Sequence, residues 1–163
     1  MVNVFVISGA PGTGKTSVID ELRKQGFYTI KEAAREIGKD YNIQKLQEAI
    51  FEFQKKELEQ AKQYNLAFSD RGFGDTLAYS RFYNVEIPES VLEYVKKARY
   101  SGIFLMDLLD KYEKDTFREE TPEQQKIIHK LIAETYYDLG YKIIRVPLMS
   151  VGERVEFIKK KIL

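Results

Sequence analysis

Residues 4–22 read VFVISGAPGTGKTSVIDEL, and the order of residue types within them decides the fold. Val4 to Ile7 is a short, almost continuous apolar run, the pattern of a strand covered on both faces. It breaks into Gly9-Ala10-Pro11-Gly12-Thr13-Gly14-Lys15-Thr16, a full match to G-x-x-x-x-G-K-[ST], after which a helical pattern begins. Glycines let successive backbone N–H groups turn into one concavity, and the helix start adds its partial positive charge, so the unit forms an anion cradle. The expected ligand is a nucleoside triphosphate. Gly9, Pro11, Gly12, Thr13, Gly14 and Ser17 would surround its phosphates, Lys15 would reach the β- and γ-phosphates, and the Thr16 hydroxyl would bind magnesium. A glycine-rich turn that merely joined strand to helix would need neither Lys15 nor Thr16.

Downstream, strand and helix patterns alternate. Met1 to Ile7 predicts the first strand, Gly14 to Gln25 a helix stopped at Gly26, and Phe27 to Ile30 a second strand. Ile43, Leu46, Ile50, Phe53 and Ala61 recur near helical spacing and predict one long helix from Asn42 to Tyr64. Leu66 to Ser69 is a third strand running into Asp70-Arg71-Gly72. Helices are expected around 75–83 and 88–99, with a fourth strand at 102–106. Thr121-Pro122-Glu123-Gln124 is a strong helix start, and Ile127, Ile128, Leu131, Ile132, Thr135 and Leu139 would form that helix's buried face. Tyr141 to Val146 is the fifth strand, and Ser150 with Glu153 caps the last helix. This alternation predicts an α/β fold: a P-loop three-layer α/β/α sandwich with a five-stranded parallel sheet, as one domain over residues 1–163.

Composition bounds the function classes. Hydrophobic residues make up 44% and charged residues 31%, as in globular chains, and a net charge of +1 argues against a broad electrostatic footprint for nucleic acid or anionic membrane. Without cysteine there is no disulfide, thiolate metal site or cysteine nucleophile. No stretch reaches the roughly 20 apolar residues of a membrane span, and the first apolar run lacks the charged lead of a signal peptide. A cytoplasmic protein is the expectation, with oligomeric state open and a dimer as one option.

Phosphate-loop domains serve many functions. A switch GTPase would show an Asn-Lys-x-Asp guanine reader after its fourth strand, whereas FLMDLLDKYEKD stands there from Phe104. The acidic partner of magnesium has two candidates at strand ends, Asp70 and Asp107, with Asp70 preferred because Arg71 adjoins it where ligands of open α/β sheets bind. Glu32 and Arg35 share a helix face after strand two that would open where an acceptor lies opposite the phosphates, so both are expected to bind substrate, and Glu32 there could accept a hydroxyl proton. Arg71 would contact phosphate or substrate. Arg118, within a charged stretch read as a lid over about 107–120, would neutralise charge on the transferred group. His129 reads as a packing or surface residue, Tyr136, Tyr137 and Tyr141 as packing, and Phe73 and Tyr79 as a buried helix face.

Together SGAPGTGKTSVIDEL, KEAARE, FSDRGFGDTLAY, YEKDTFREETPEQ and YKIIRVPLMSVGERVEFI resemble the small AAA-type P-loop family that includes the nicotinamide riboside kinase domain of the bacterial NAD regulator. The chain is similar, more distantly, to deoxynucleoside and thymidylate kinases. The resemblance implies that Glu32 sits near an acceptor hydroxyl, that Asp70-Arg71 is the acidic-arginine pair after strand three, that Arg118 is the lid arginine, and that Pro147 to Val151 contact the nucleobase. The second acidic residue of the nicotinamide riboside kinase pattern is replaced by Gly72. The expected function is Mg-ATP-dependent transfer of the γ-phosphoryl group to a small hydroxyl acceptor, with Lys15, Glu32, Asp70 and Arg118 as catalytic residues. A nucleotide-switched binding module acting through a protein partner, using ATP or GTP, and a plain NTPase are the alternatives.

Overall fold

A computed structural model describes residues 3–38, 42–109 and 120–163. The chain runs β1 (Val4–Ser8), α1 (Lys15–Lys24), β2 (Tyr28–Ile30), α2 (Ala33–Ile37), α3 (Ile43–Ala61), β3 (Ala67–Asp70), α4 (Phe73–Phe82), α5 (Glu89–Lys97), β4 (Gly102–Met106), α6 (Pro122–Asp138), β5 (Ile143–Val146) and α7 (Val151–Ile162). The five strands form one parallel sheet in the order β2-β3-β1-β4-β5. Strand alternation then divides the core between the two faces. Val4, Val6, Ile103 and Leu105 pack with α3, α4, α5 and α6, while Ile7, Phe68, Phe104 and Met106 pack with α1 and α7.

Local chemistry sets the helix starts. Thr121 Oγ1 accepts from Gln124 N while the Gln124 side chain accepts from Thr121 N, the reciprocal cap that the sequence predicts. Asn42 and Ser150 cap α3 and α7 one way only, their side chains accepting from Lys45 N and Glu153 N. Two buried faces differ from expectation. On α6, Ile127 is exposed and Tyr136 takes the core position, because the helix turns its Gln125-Ile128-Ile132-Thr135-Tyr136 stripe inward. On α3, Ile43 is exposed and the stripe is Gln47, Ile50, Phe51, Gln54, Leu58 and Ala61, since packing against α4 selects a face that includes two glutamines. No helix among the described residues is long and apolar enough to cross a membrane.

The β1–β3 register places Ile7 beside Asp70, so the loop after β1 and the Asp70-Arg71 turn emerge side by side at the carboxyl edge of the sheet. Ligands of open α/β sheets bind at that edge.

Candidate functional site

The loop from Gly9 to Gly14 owes its path to glycine. Gly12 and Gly14 have φ of +78° and +84°, a region costly for other residues. Lys15, 1% exposed, donates to the Ala10 carbonyl (3.0 Å) and to Thr13 Oγ1 (3.4 Å), which keeps its ammonium over the loop. The structure brings Thr16 and Asp70 together: Thr16 Oγ1 donates to Asp70 Oδ2 at 3.3 Å. Asp107, the other acidic candidate, instead accepts from Arg145 Nε and Nη2 at 3.1 and 2.9 Å.

Asp70 is the most telling carboxylate. It is 4% exposed, and its Oδ1 is buried with no hydrogen-bond partner among the described residues. Burial, joined by the Glu32 carboxylate, pushes its pKa up to about 6 against the pull of Lys15 and Arg71. An orphaned, reluctantly ionised oxygen beside a hydroxyl suits a hydrated divalent cation, which magnesium satisfies with few protein ligands, waters and substrate phosphates. Among the described residues no cluster of three or more acidic or histidine side chains could hold a metal alone.

Arg71, the next residue, ties the loop to α4. Its backbone sits at φ +73°, a left-handed conformation that a non-glycine residue holds only when its surroundings enforce it. Arg71 Nη1 donates to Asp75 Oδ1 (2.7 Å) and to the Gly9 carbonyl (3.0 Å), Nε reaches Glu32 Oε1 at 3.4 Å, and the guanidinium lies 5.0 Å from the Tyr79 ring centre. Burial alone would lower its pKa, but Tyr79, Asp75, Glu32 and Asp70 outweigh that and hold it above the ordinary value. Arg35 Nε donates to Glu32 Oε2 at 3.2 Å, so Glu32 lies between two arginines.

A cleft of about 360 Å³ opens beside the loop, lined by Glu32, Arg71, Tyr79, Gln47, Ile50 and others. Glu32 also lines a smaller recess with Thr16, Arg35 and Asp70, and so stands where the two spaces meet. In the cleft, Gln54 is satisfied by the Gly72 carbonyl (3.2 Å) and Thr76 Oγ1 (2.7 Å), whereas Gln47 Oε1 is buried with no partner among the described residues. Phe73 is in the core as expected, while Tyr79 turns toward the cleft.

Several supports escaped the sequence reading. Asp75, 1% exposed, accepts from Ser8 Oγ (2.6 Å), Arg71, Gly72 N (3.0 Å) and Tyr136 Oη (2.5 Å), tying β1, β3, α4 and α6 together. His129 does more than pack, since its Nδ1 accepts from Ala10 N at 3.2 Å, and burial lowers its pKa and favours the neutral ring. Gln125 donates to the Pro11 carbonyl at 2.7 Å, and Arg154 Nη1 to the Thr13 carbonyl at 3.0 Å. The available signal was a polar residue at an apolar-stripe position: Gln47 and Gln54 on α3, Gln125 on α6, Arg154 on α7. Arg118 and most of the expected lid lie outside the described residues.

A family model described as an AAA domain matches residues 4–154. The chain belongs to that family. No curated protein matches the sequence significantly. Among solved structures, a deoxyadenosine kinase from M. mycoides with dCMP and dCDP bound is 16% identical with a TM-score of 0.69, covering 97% of each chain. The NadR protein in complex with NAD and AMP-PNP is 16% identical with a TM-score of 0.73; it covers 98% of this chain, which spans 49% of that protein. Thymidylate kinase from Candida albicans is 13% identical with a TM-score of 0.69, covering 99% and 91%. The AAA domain described here thus has the α/β fold of P-loop nucleoside and nucleotide kinases.

Proposed function

We propose that this AAA domain protein is a small-molecule kinase, which transfers the γ-phosphoryl group of Mg-ATP to a hydroxyl on a nucleoside-like acceptor. The carrying observation is the position of Glu32, on the border between a ring-sized cleft and the Thr16–Asp70 recess beside the phosphate loop. A plain NTPase needs the loop and the metal site but no second cleft abutting them. The bound nucleotides named for the M. mycoides and NadR structures support the same reading.

In this reading Lys15 and the loop amides hold the β- and γ-phosphates, and Thr16 with Asp70 would hold magnesium, Asp70 through water. The metal would supply charge neutralisation on the phosphate oxygens. Glu32 accepts the proton of the attacking hydroxyl. Arg35 and Arg71 orient Glu32, and Arg71 faces the substrate. Arg118 would supply positive charge on the transferred group from the lid. Phosphoryl transfer asks the protein mainly for positioning and charge stabilisation, and these residues provide both. Gln47 narrows the acceptor, because its buried carbonyl oxygen, unpartnered among the described residues and set in a cleft beside Ile50 and Tyr79, favours a flat ring with an N–H on its edge.

The test is ADP release from Mg-ATP while nucleosides, nicotinamide riboside, nucleoside monophosphates and sugars are added singly, with Lys15→Ala as blank. One acceptor should raise the rate well above basal and yield a product of matching phosphorylated mass. Glu32→Gln should then lower kcat by roughly 100-fold or more while nucleotide affinity stays. A basal rate unmoved by every acceptor would count against the kinase reading, and full turnover by Glu32→Gln against the base.

A further inference from the structure

The mechanism above leaves Arg154 unused. It sits on α7 in line with Val151, Val155 and Ile158, a stripe packed against α1 and the sheet, and it is 7% exposed. Its Nη1 donates to the Thr13 carbonyl at 3.0 Å. Nη1 and Nη2 lie 2.9 and 3.0 Å from the point where a Cβ on Gly14 would stand, so the guanidinium is pressed onto the loop at the first turn of α1. Nε is buried without a hydrogen-bond partner, and no carboxylate pairs with Arg154 among the described residues. Burial holds its pKa below the ordinary arginine value.

An unpaired cation in an apolar stripe is a net cost to the ligand-free fold, and a methionine or leucine would fill the same space without it. The cost is recovered when negative charge arrives at that point. Lys15 and the N-terminus of α1 make the same place attractive to anions. Arg71 grips the loop at the Gly9 carbonyl, on the cleft side, and Arg154 grips it at the Thr13 carbonyl. The two arginines therefore hold opposite ends of the loop, with the acceptor cleft at the Arg71 end.

We infer that Arg154 is a phosphate-binding residue for the end of the nucleotide remote from transfer, its charge balanced by the α- and β-phosphates of a bound nucleoside di- or triphosphate. The inference rests on the loop being a nucleotide site and adds a residue, with its position along the phosphate chain. Because both ADP and ATP carry those phosphates, loss of Arg154 weakens both by one factor and leaves the acceptor KM in place.

Calorimetric titration of ADP and AMP-PNP into wild type, Arg154→Met, Arg154→Lys and Lys15→Ala provides the test, together with ligand-free melting curves. Arg154→Met should bind both nucleotides about tenfold or more weakly, with a shallower salt dependence, and Arg154→Lys should recover part of the loss. The ligand-free melting temperature of Arg154→Met should be unchanged or higher, a result that a mere brace for the loop would not give. Binding as tight as wild type overturns the inference, and so does a lower ligand-free melting temperature. If wild type itself bound neither nucleotide, the nucleotide reading would fall and this inference with it.

Discussion

Asp70 sets two demands against each other. Its side chain is buried and raised to about 6 from an ordinary 3.8, so between those values the folded protein binds a proton that the unfolded chain has released. For an acid raised on folding, its contribution to stability is greatest at low pH and falls as pH climbs through 3.8 toward 6, by up to about 1 kcal/mol per pH unit. Metal binding asks for the opposite, an ionised carboxylate. Ligand-free Asp70→Asn should therefore match wild type near pH 4 and exceed it in stability at pH 7, while magnesium-assisted nucleotide binding is lost. In wild type, magnesium dependence should grow from pH 5 to pH 7 and then level. Parallel stability curves for the two proteins from pH 4 to pH 7 would show that Asp70 is not strained in the fold.

At the scale of elements, α6 packs behind the α4 wall of the cleft. A Cβ placed on Gly74 would stand 2.4 Å from the Tyr136 ring, whose hydroxyl holds Asp75 and, through it, Arg71. Gly74→Ala should gain up to about 1 kcal/mol of helix propensity, yet lose roughly 1–3 kcal/mol or more to overpacking, so destabilisation wins. Urea unfolding should show a lower midpoint with an unchanged slope. Acceptor affinity should fall with it, because the ring cannot retreat without releasing Asp75.

For the molecule as a whole, the phosphate loop is held from several elements at once: by Arg71 after β3, by His129 and Gln125 on α6, and by Arg154 on α7. A nucleotide bound there stabilises the fold by mass action. At a free concentration about 100 times Kd the gain is about 2.7 kcal/mol, which for a chain of this size corresponds to a rise in Tm of roughly 5–10 °C. A thermal melt with Mg-ADP should show that rise in wild type and lose it in Lys15→Ala. Equal shifts in the two proteins would place the ligand away from the loop.

What the sequence by itself determined was the part encoded locally. The run from Val4 to Thr16, the cap at Thr121-Gln124 and the strands that begin and end on turn residues were legible, because propensity, capping and spacing act within a few residues. Asp70 was legible as a strand-end acid, and Glu32 as a carboxylate after the second strand. Only the tertiary structure decided which acid meets Thr16, since the β1–β3 register brings Asp70 there while Arg145 occupies Asp107. It also decided which helix faces turn inward, and so the burial of Gln47, Gln54, Gln125 and Arg154. Hydrophobic periodicity counts such positions as breaks in a stripe, whereas their partners, Thr76, the Pro11 and Thr13 carbonyls and the space inside the cleft, come from elements far along the chain.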